Sequence, residues 1–69
     1  MSKVVKIIEV LSQSDKSWED AADNALKEAS KSIRNIKSIY IKDMSAQVKE
    51  NKIKKYRITA KISFEIDNE

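Results

Sequence analysis

The segment 17–33, with the sequence SWEDAADNALKEASKSI, decides how this chain folds. Its apolar residues recur with the spacing i, i+3, i+4, i+7, which places them on one stripe of an amphipathic α-helix. Ser17 occupies the N-cap position, and acidic residues precede basic ones, as the helix dipole favours. The stripe consists of Trp18, Ala21, Ala22, Ala25, Leu26, Ala29 and Ile33. Because alanine dominates this stripe, another backbone can approach it closely, and we expect strands to cover it.

The segments on either side of this helix have the composition of β-strands. Residues 3–11 are mostly β-branched or aliphatic and carry apolar side chains on both faces. Residues 38–49 alternate at first, and the pattern then blurs near Met44, which predicts a bulge there. Residues 55–66 alternate almost perfectly between apolar and polar. Their apolar face, which begins at Tyr56, is therefore expected to meet the helix.

The turns are predicted from asparagine, since the chain has no glycine and no proline. Asn35 is the expected left-handed residue after the helix, and Asn51 is expected to tolerate positive φ in a hairpin turn between the last two strands. The resulting order is β-α-β-β. We therefore predict an α+β fold in which a three-stranded antiparallel sheet partly wraps around one helix. The whole chain, residues 1–69, is expected to be one domain.

Composition excludes several classes of chemistry. The 69 residues contain no cysteine and no histidine, which removes disulfides, thiolate sites and the commonest general base. No catalytic constellation can be named, so an enzyme is not predicted. A domain this short has a small core, and oligomerisation is the remaining route to stability. No apolar run is long enough to span a membrane, so a cytoplasmic protein is expected.

The order of several short motifs resembles the dodecin family. The resemblance covers essentially the whole chain at matching length, and no single motif is diagnostic. It rests on VVKIIEV at 4–10, SDKSWEDA at 14–21, the alanine-rich helix with EASK at 28–31, RNI at 34–36, KDM at 42–44, YR at 56–57 and SF at 63–64.

The resemblance implies a hollow homododecamer that binds, stores or buffers a small ligand without acting as an enzyme. In the family, flavin (FMN or riboflavin) stacks on tryptophans near the start of the second strand. A glutamine that follows the aromatic residue of the third strand binds the flavin edge. In this sequence Ser38 stands at the tryptophan position and Arg57 at the glutamine position, and Tyr40 is the local aromatic substitute. These departures predict weak or absent flavin binding, so the alternative is a flavin-free structural or ion-binding shell.

Three other groups of residues admit a functional interpretation beside a structural one. Trp18 is interpreted as a hydrophobic anchor under the first helical turn, and ligand stacking is the alternative. Asp20 and Asp23, with Glu19 nearby, are interpreted as an acidic first turn, and a calcium or magnesium site is the alternative. No tightly bound metal is expected.

The last of these groups is a set of cations on the third strand. Their spacing favours a solvated or interface-paired face over phosphate or nucleic-acid contact. A basic nucleic-acid-binding module is therefore a less favoured hypothesis, and the net charge of only +3 agrees with that ranking. The cations are Lys52, Lys54, Lys55, Arg57 and Lys61.

Overall fold

The computed structural model describes residues 4–66. Its elements are β1 (Val4–Ser14), α1 (Trp18–Ser30), β2 (Ile36–Lys49) and β3 (Lys52–Ile66). The three strands form one antiparallel sheet in the order β1-β3-β2, so that β3 lies in the centre. This confirms the predicted α+β fold with the order β-α-β-β.

The helix begins and ends through local hydrogen bonds that the sequence partly predicted. The Ser17 hydroxyl accepts a hydrogen bond from the backbone N–H of Asp20 at 2.9 Å, which confirms the N-cap. The helix ends at Ser30, three residues before the predicted end at Ile33. Asn35 then takes a φ of 64°, so the predicted left-handed residue is confirmed.

The turn between β2 and β3 consists of Glu50 and Asn51, with φ values of 52° and 64°. Positive φ at Asn51 was predicted, whereas positive φ at Glu50 was not. A two-residue hairpin turn of this kind requires positive φ at both positions because it must match the twist of the strands. The geometry of the turn therefore overrides the ordinary preference of a glutamate residue for negative φ.

The core lies between one face of β3 and the helix. Ala21, Ile58, Ala60 and Ile62 are 0–2% exposed, and Ala25 is 7% exposed. The helix approaches β3 through its alanines, as predicted. Leu26 differs from the expectation, because it is half-buried and lines an open cavity beside the helix rather than the core.

Strand β2 carries three irregularities in its pairing with β3. One register shift lies between Ile41 and Asp43, next to the Met44 position where the sequence predicted a bulge. Two further shifts, after Ile36 and at Gln47, were not predicted. From the shift at Gln47 onward, the β2–β3 hairpin extends past β1, because β1 pairs only with residues 56–66 of β3.

The interpretation of Trp18 as an anchor is confirmed. Its indole ring packs against the core and meets the Tyr56 ring edge-to-face, with centroids 4.9 Å apart. Its Nε1 donates a hydrogen bond to the carbonyl oxygen of Ser45 at 2.8 Å. Trp18 thus joins the start of the helix to β2. Within residues 4–66, the helix is too short and too polar to cross a membrane.

Candidate ligand site on the outer face of the sheet

The face of the sheet that points away from the helix is the outer face. Its apolar side chains are largely exposed in the single chain: Val5 by 53%, Ile7 by 59% and Leu11 by 73%. These residues alternate along β1 with half-buried Ile8 and Val10, which point toward the helix. Strand β1 is therefore apolar on both faces, as the sequence indicated, and only one of them is covered by α1.

A cavity of about 240 Å³ lies on this outer face, where β1, β3 and β2 run side by side. Antiparallel pairing determines which residues line the cavity. Ser38 and Tyr40 of β2 lie opposite Ser63 and Lys61 of β3. Ile7 of β1 lies opposite Ser63 on the other side of β3. The cavity is lined by Ile7, Ser38, Tyr40, Lys61 and Ser63.

Two of the three predicted site residues meet in this cavity. Ser38 and Tyr40 are two residues apart on β2 and share the outer face, as predicted. The Ser38 hydroxyl lies 2.6 Å from that of Ser63 in a direct hydrogen bond. The Tyr40 side chain is 63% exposed and offers a ring surface beside the cavity.

Arg57, the third predicted site residue, lies elsewhere in the chain. It is opposite Gln13 and Ser45, and its Nε donates to the Gln13 side-chain oxygen at 3.2 Å. The strand rise places it roughly 20 Å from Ser63 along β3. One chain therefore does not bring Arg57 to the cavity of Ser38 and Tyr40.

Sequence reasoning did not assign Ile7, Lys61 and Ser63 to this site. These residues line the cavity because the strand order places β3 between β1 and β2, and because the register brings them next to Ser38 and Tyr40. The alternation of β3 did put Lys61 and Ser63 on the polar face. A signal was thus present, but the sequence did not indicate which β2 residues lie opposite them.

The basic residues predicted on β3 are separated by the fold. Lys55 pairs with Asp15 at 2.7 Å, and Lys52 and Lys54 lie at the tip of the hairpin with Lys49. Lys61 is nine residues from Lys52, or roughly 30 Å along an extended strand. The five cations therefore do not form one continuous basic surface within the chain.

The acidic first turn of α1 is engaged in local hydrogen bonds. One carboxylate oxygen of Asp20 accepts from the hydroxyl of buried Ser14 at 2.6 Å, and Ser14 also accepts from the backbone N–H of Lys16. Between Val4 and Ile66, no group of three or more acidic, histidine or cysteine side chains could hold a metal ion. Asp20 and Asp23 line a separate open cavity of about 510 Å³ along the helix.

The carboxyl group of Asp15 has a lowered pKa. The main cause is the hydrogen bond from the Lys55 ammonium group, and the positive charge of Lys55 adds to it. This ion pair connects the loop before α1 to the hairpin. It leaves the outer-face cavity unaffected, since neither residue lines it.

Comparison with known proteins identifies relatives of this chain over nearly its whole length. The family model for dodecin matches residues 4–67. A mutant of Thermus thermophilus dodecin has a similar structure, with a TM-score of 0.93 at 25% identity over 97% of this chain and 100% of that chain. Dodecin from Streptomyces davaonensis gives a TM-score of 0.92 at 18% identity, over 99% of this chain and 100% of that chain, which supports the fold alone.

A further relative is described as a calcium-binding protein. The calcium-chelating antigen of Mycobacterium tuberculosis, a calcium dodecin with a novel calcium-binding site, is 32% identical to this chain. It gives a TM-score of 0.80 over 93% of this chain and 91% of that chain. No curated protein sequence gives a significant match.

Proposed function

This chain belongs to the dodecin family, and we propose that it is a non-enzymatic subunit of a homododecameric shell that binds a small planar ligand. The family forms homododecamers and is known for binding flavin, although one relative is a calcium dodecin. The observation that carries the proposal is the outer-face cavity, where the exposed Tyr40 ring lies beside Ser38.

The assembly is supported by the exposed apolar surface of the single chain. Val5, Ile7 and Leu11 are each more than half exposed, and burial against other copies would stabilise them by about 25 cal/mol per Å² of apolar surface. Light scattering should give a mass of about 95 kDa for twelve copies of the 7.9 kDa chain. A folded monomer at micromolar concentration would contradict the assembly.

The ligand site is proposed to contain residues from more than one copy. Arg57 lies roughly 20 Å along β3 from the cavity of Ser38 and Tyr40, so a site that uses all three needs a second chain. Flavin itself is expected to bind weakly. Ser38 provides no ring, and Arg57 can only donate hydrogen bonds, whereas a glutamine side chain also accepts them.

The test is to restore the two family residues. Ser38→Trp with Arg57→Gln should increase flavin affinity by about one to two powers of ten, since each contact contributes roughly 1 kcal/mol. Quenching of flavin fluorescence on titration measures the change. Gln47→Trp is the matched control, because it adds a tryptophan to the same strand but outside the cavity. An intact dodecamer without any gain would mean that the cavity is not the ligand site.

Calcium is the second candidate ligand, and the observation that favours it is the 32% identity to a calcium dodecin. Asp20 and Asp23 line one cavity with Asn24, and oxygen ligands of this kind suit calcium, which takes about six to eight of them. Residues 4–66 of one chain do not supply a complete metal site, so the remaining ligands would come from water or another copy. Isothermal titration calorimetry with calcium, carried out on the unaltered protein and on Asp23→Asn, separates calcium binding from the binding of a planar ligand. Calcium binding that Asp23→Asn abolishes would support it.

A further inference from the structure

Lys61 is the one charged residue that lines the outer-face cavity. Its side chain is half-buried on the central strand, between Glu9 of β1 and Tyr40 of β2 in the pairing register. A partly buried ammonium group is stabilised by a nearby negative charge. The neighbours of Lys61 therefore indicate what the cavity is built to accept.

The carboxylate opposite Lys61 is engaged by another lysine. Glu9 is the direct cross-strand neighbour of Lys61, yet its Oε2 pairs with the Nζ of Lys42 at 3.4 Å. Lys42 reaches Glu9 from β2, across the central strand, at the register shift between Ile41 and Asp43. The bulge thus brings Lys42 to Glu9, which is the only carboxylate directly opposite Lys61 in the register.

The side chain of Lys61 forms no ion pair or hydrogen bond with any residue between Val4 and Ile66. Two other cations of β3, both nearer the hairpin turn, do have partners, since Lys55 pairs with Asp15 and Arg57 with Gln13. The ammonium group of Lys61 is therefore available to a ligand in the cavity.

The hydroxyl pair in the cavity adds a second donor. Ser38 and Ser63 share one hydrogen bond of 2.6 Å, which uses one of their two hydroxyl protons. The other proton can be donated to a ligand. No acidic side chain lines the cavity, so its polar groups favour an acceptor that carries negative charge.

We infer that the cavity selects a planar aromatic anion, with Lys61 as the residue that determines this specificity. The ring of the ligand lies against Tyr40 and Ile7, and its negative group lies at the ammonium of Lys61 and the hydroxyls of Ser38 and Ser63. This inference rests on the proposed function and specifies the charge of its ligand. The negative charge can be part of the ring system or belong to a phosphate on a side chain.

Two matched pairs of ligands test the inference and separate the two sources of charge. FMN and riboflavin share one ring and differ in a phosphate, while naphthalenesulfonate and naphthalenemethanol differ in a charge attached to the ring. Each is titrated against the unaltered oligomer by fluorescence at low salt. In at least one pair, the anion is expected to bind about tenfold more tightly than its neutral partner, and added salt should reduce the difference.

Variants at Lys61 separate charge from packing. Lys61→Met should remove the preference for the anion, and Lys61→Arg should keep it. Lys37→Met is the matched control, because it removes one positive charge next to Ser38 at a position that does not line the cavity. Circular dichroism and native mass establish that each variant folds and assembles.

The outcomes distinguish this inference from the proposed function. Equal binding of anion and neutral partner in both pairs, or an unchanged preference in Lys61→Met, would overturn the role of Lys61 and leave planar-ligand binding in place. If neither pair binds at all, both proposals fail. If Lys37→Met lowers the preference as much as Lys61→Met, the effect is that of net charge, and the role of Lys61 is overturned.

Discussion

The two faces of β3 are equal in length but differ in what covers them. On the inner face, Ile58, Ala60 and Ile62 are at most 2% exposed, and Ala21 of α1 packs in one cluster with Ile58 and Ala60. On the outer face, Arg57, Lys61 and Ser63 are half-buried, and neighbouring apolar residues of β1 are more than half exposed. The inner face thus stabilises the subunit, whereas the outer face is available to other copies and to a ligand. Substitutions on the two faces should therefore have different effects.

The largest effect is expected on the inner face. Ala21 is 0% exposed, and Ala21→Asp would bury an unpaired carboxylate at a cost of several kcal/mol, comparable with the whole stability of a small domain. We expect loss of folding by circular dichroism and loss of the oligomer by native mass. Asn24→Asp, on the exposed side of the same helix, is the control and should fold. A native spectrum for Ala21→Asp would show that the helix does not contact the sheet through its alanines.

A smaller effect that is specific to assembly is expected on the outer face. Leu11 is 73% exposed in the single chain, so Leu11→Asp should leave the contacts within the subunit unchanged. If Leu11 is buried in the proposed assembly, its loss corresponds to about 1.5–3 kcal/mol per site. The concentration at which the oligomer dissociates should rise by about tenfold or more, measured by light scattering on dilution.

Asn24→Asp serves again as the control, since it introduces the same charge on the helix. If Leu11→Asp dissociates at the same concentration as the unaltered protein, the exposed β1 residues do not form a subunit contact.

Trp18 and Tyr40 offer a comparison between two aromatic residues. Trp18 donates to the Ser45 carbonyl and packs on Tyr56, while Tyr40 is 63% exposed on the outer face. Trp18→Phe should lower the free energy of unfolding by about 1 kcal/mol through the lost hydrogen bond. Tyr40→Phe should change it by less than about 0.5 kcal/mol. Chemical denaturation of both variants measures the difference, and equal losses would contradict the assignment of the two rings to different roles.

The sequence predicted the inner face well because that face follows local rules. The spacing of the alanines in α1, the alternation in β3 and the N-cap at Ser17 each depend on residues close together in the chain. The predicted strand ends differed by a few residues, since β1 continues to Ser14 and β2 begins at Ile36. Residues 67–69, whose polar sequence DNE predicts a frayed end, lie outside the described residues.

The candidate site was less predictable because it depends on pairing between distant strands. Ser38 and Tyr40 could be placed on one face from their spacing alone, and the structure agrees. Their neighbours Lys61 and Ser63 are fixed by a register that contains three shifts in β2. A shift of one residue exchanges the two faces of a strand, so alternation alone could not identify which residues meet.

The smallest expected effect concerns the ion pair at the base of the hairpin, between Asp15 and Lys55. Their charged atoms are 2.7 Å apart, and the hydrogen bond from Lys55 lowers the pKa of Asp15 below its ordinary value of 3.8. A carboxyl group with a lowered pKa in the folded state contributes stability above its unfolded pKa. That contribution is present above about pH 3.8 and is lost as the pH falls through the lower folded value. Because the Asp15 side chain is 75% exposed, solvent screening keeps the contribution small.

A titration of Asp15 by carboxyl-carbon NMR measures this effect directly. Lys55→Met should raise the pKa of Asp15 toward 3.8, because it removes both the hydrogen bond and the nearest positive charge. Lys54→Met is the matched control, since Lys54 lowers the same pKa only through a weaker charge interaction. The shift should therefore be clearly larger for Lys55→Met. Equal shifts in the two variants would mean that general positive charge at the hairpin, and not the direct contact, sets the pKa. In that case this ion pair would not hold the loop before α1 to the hairpin.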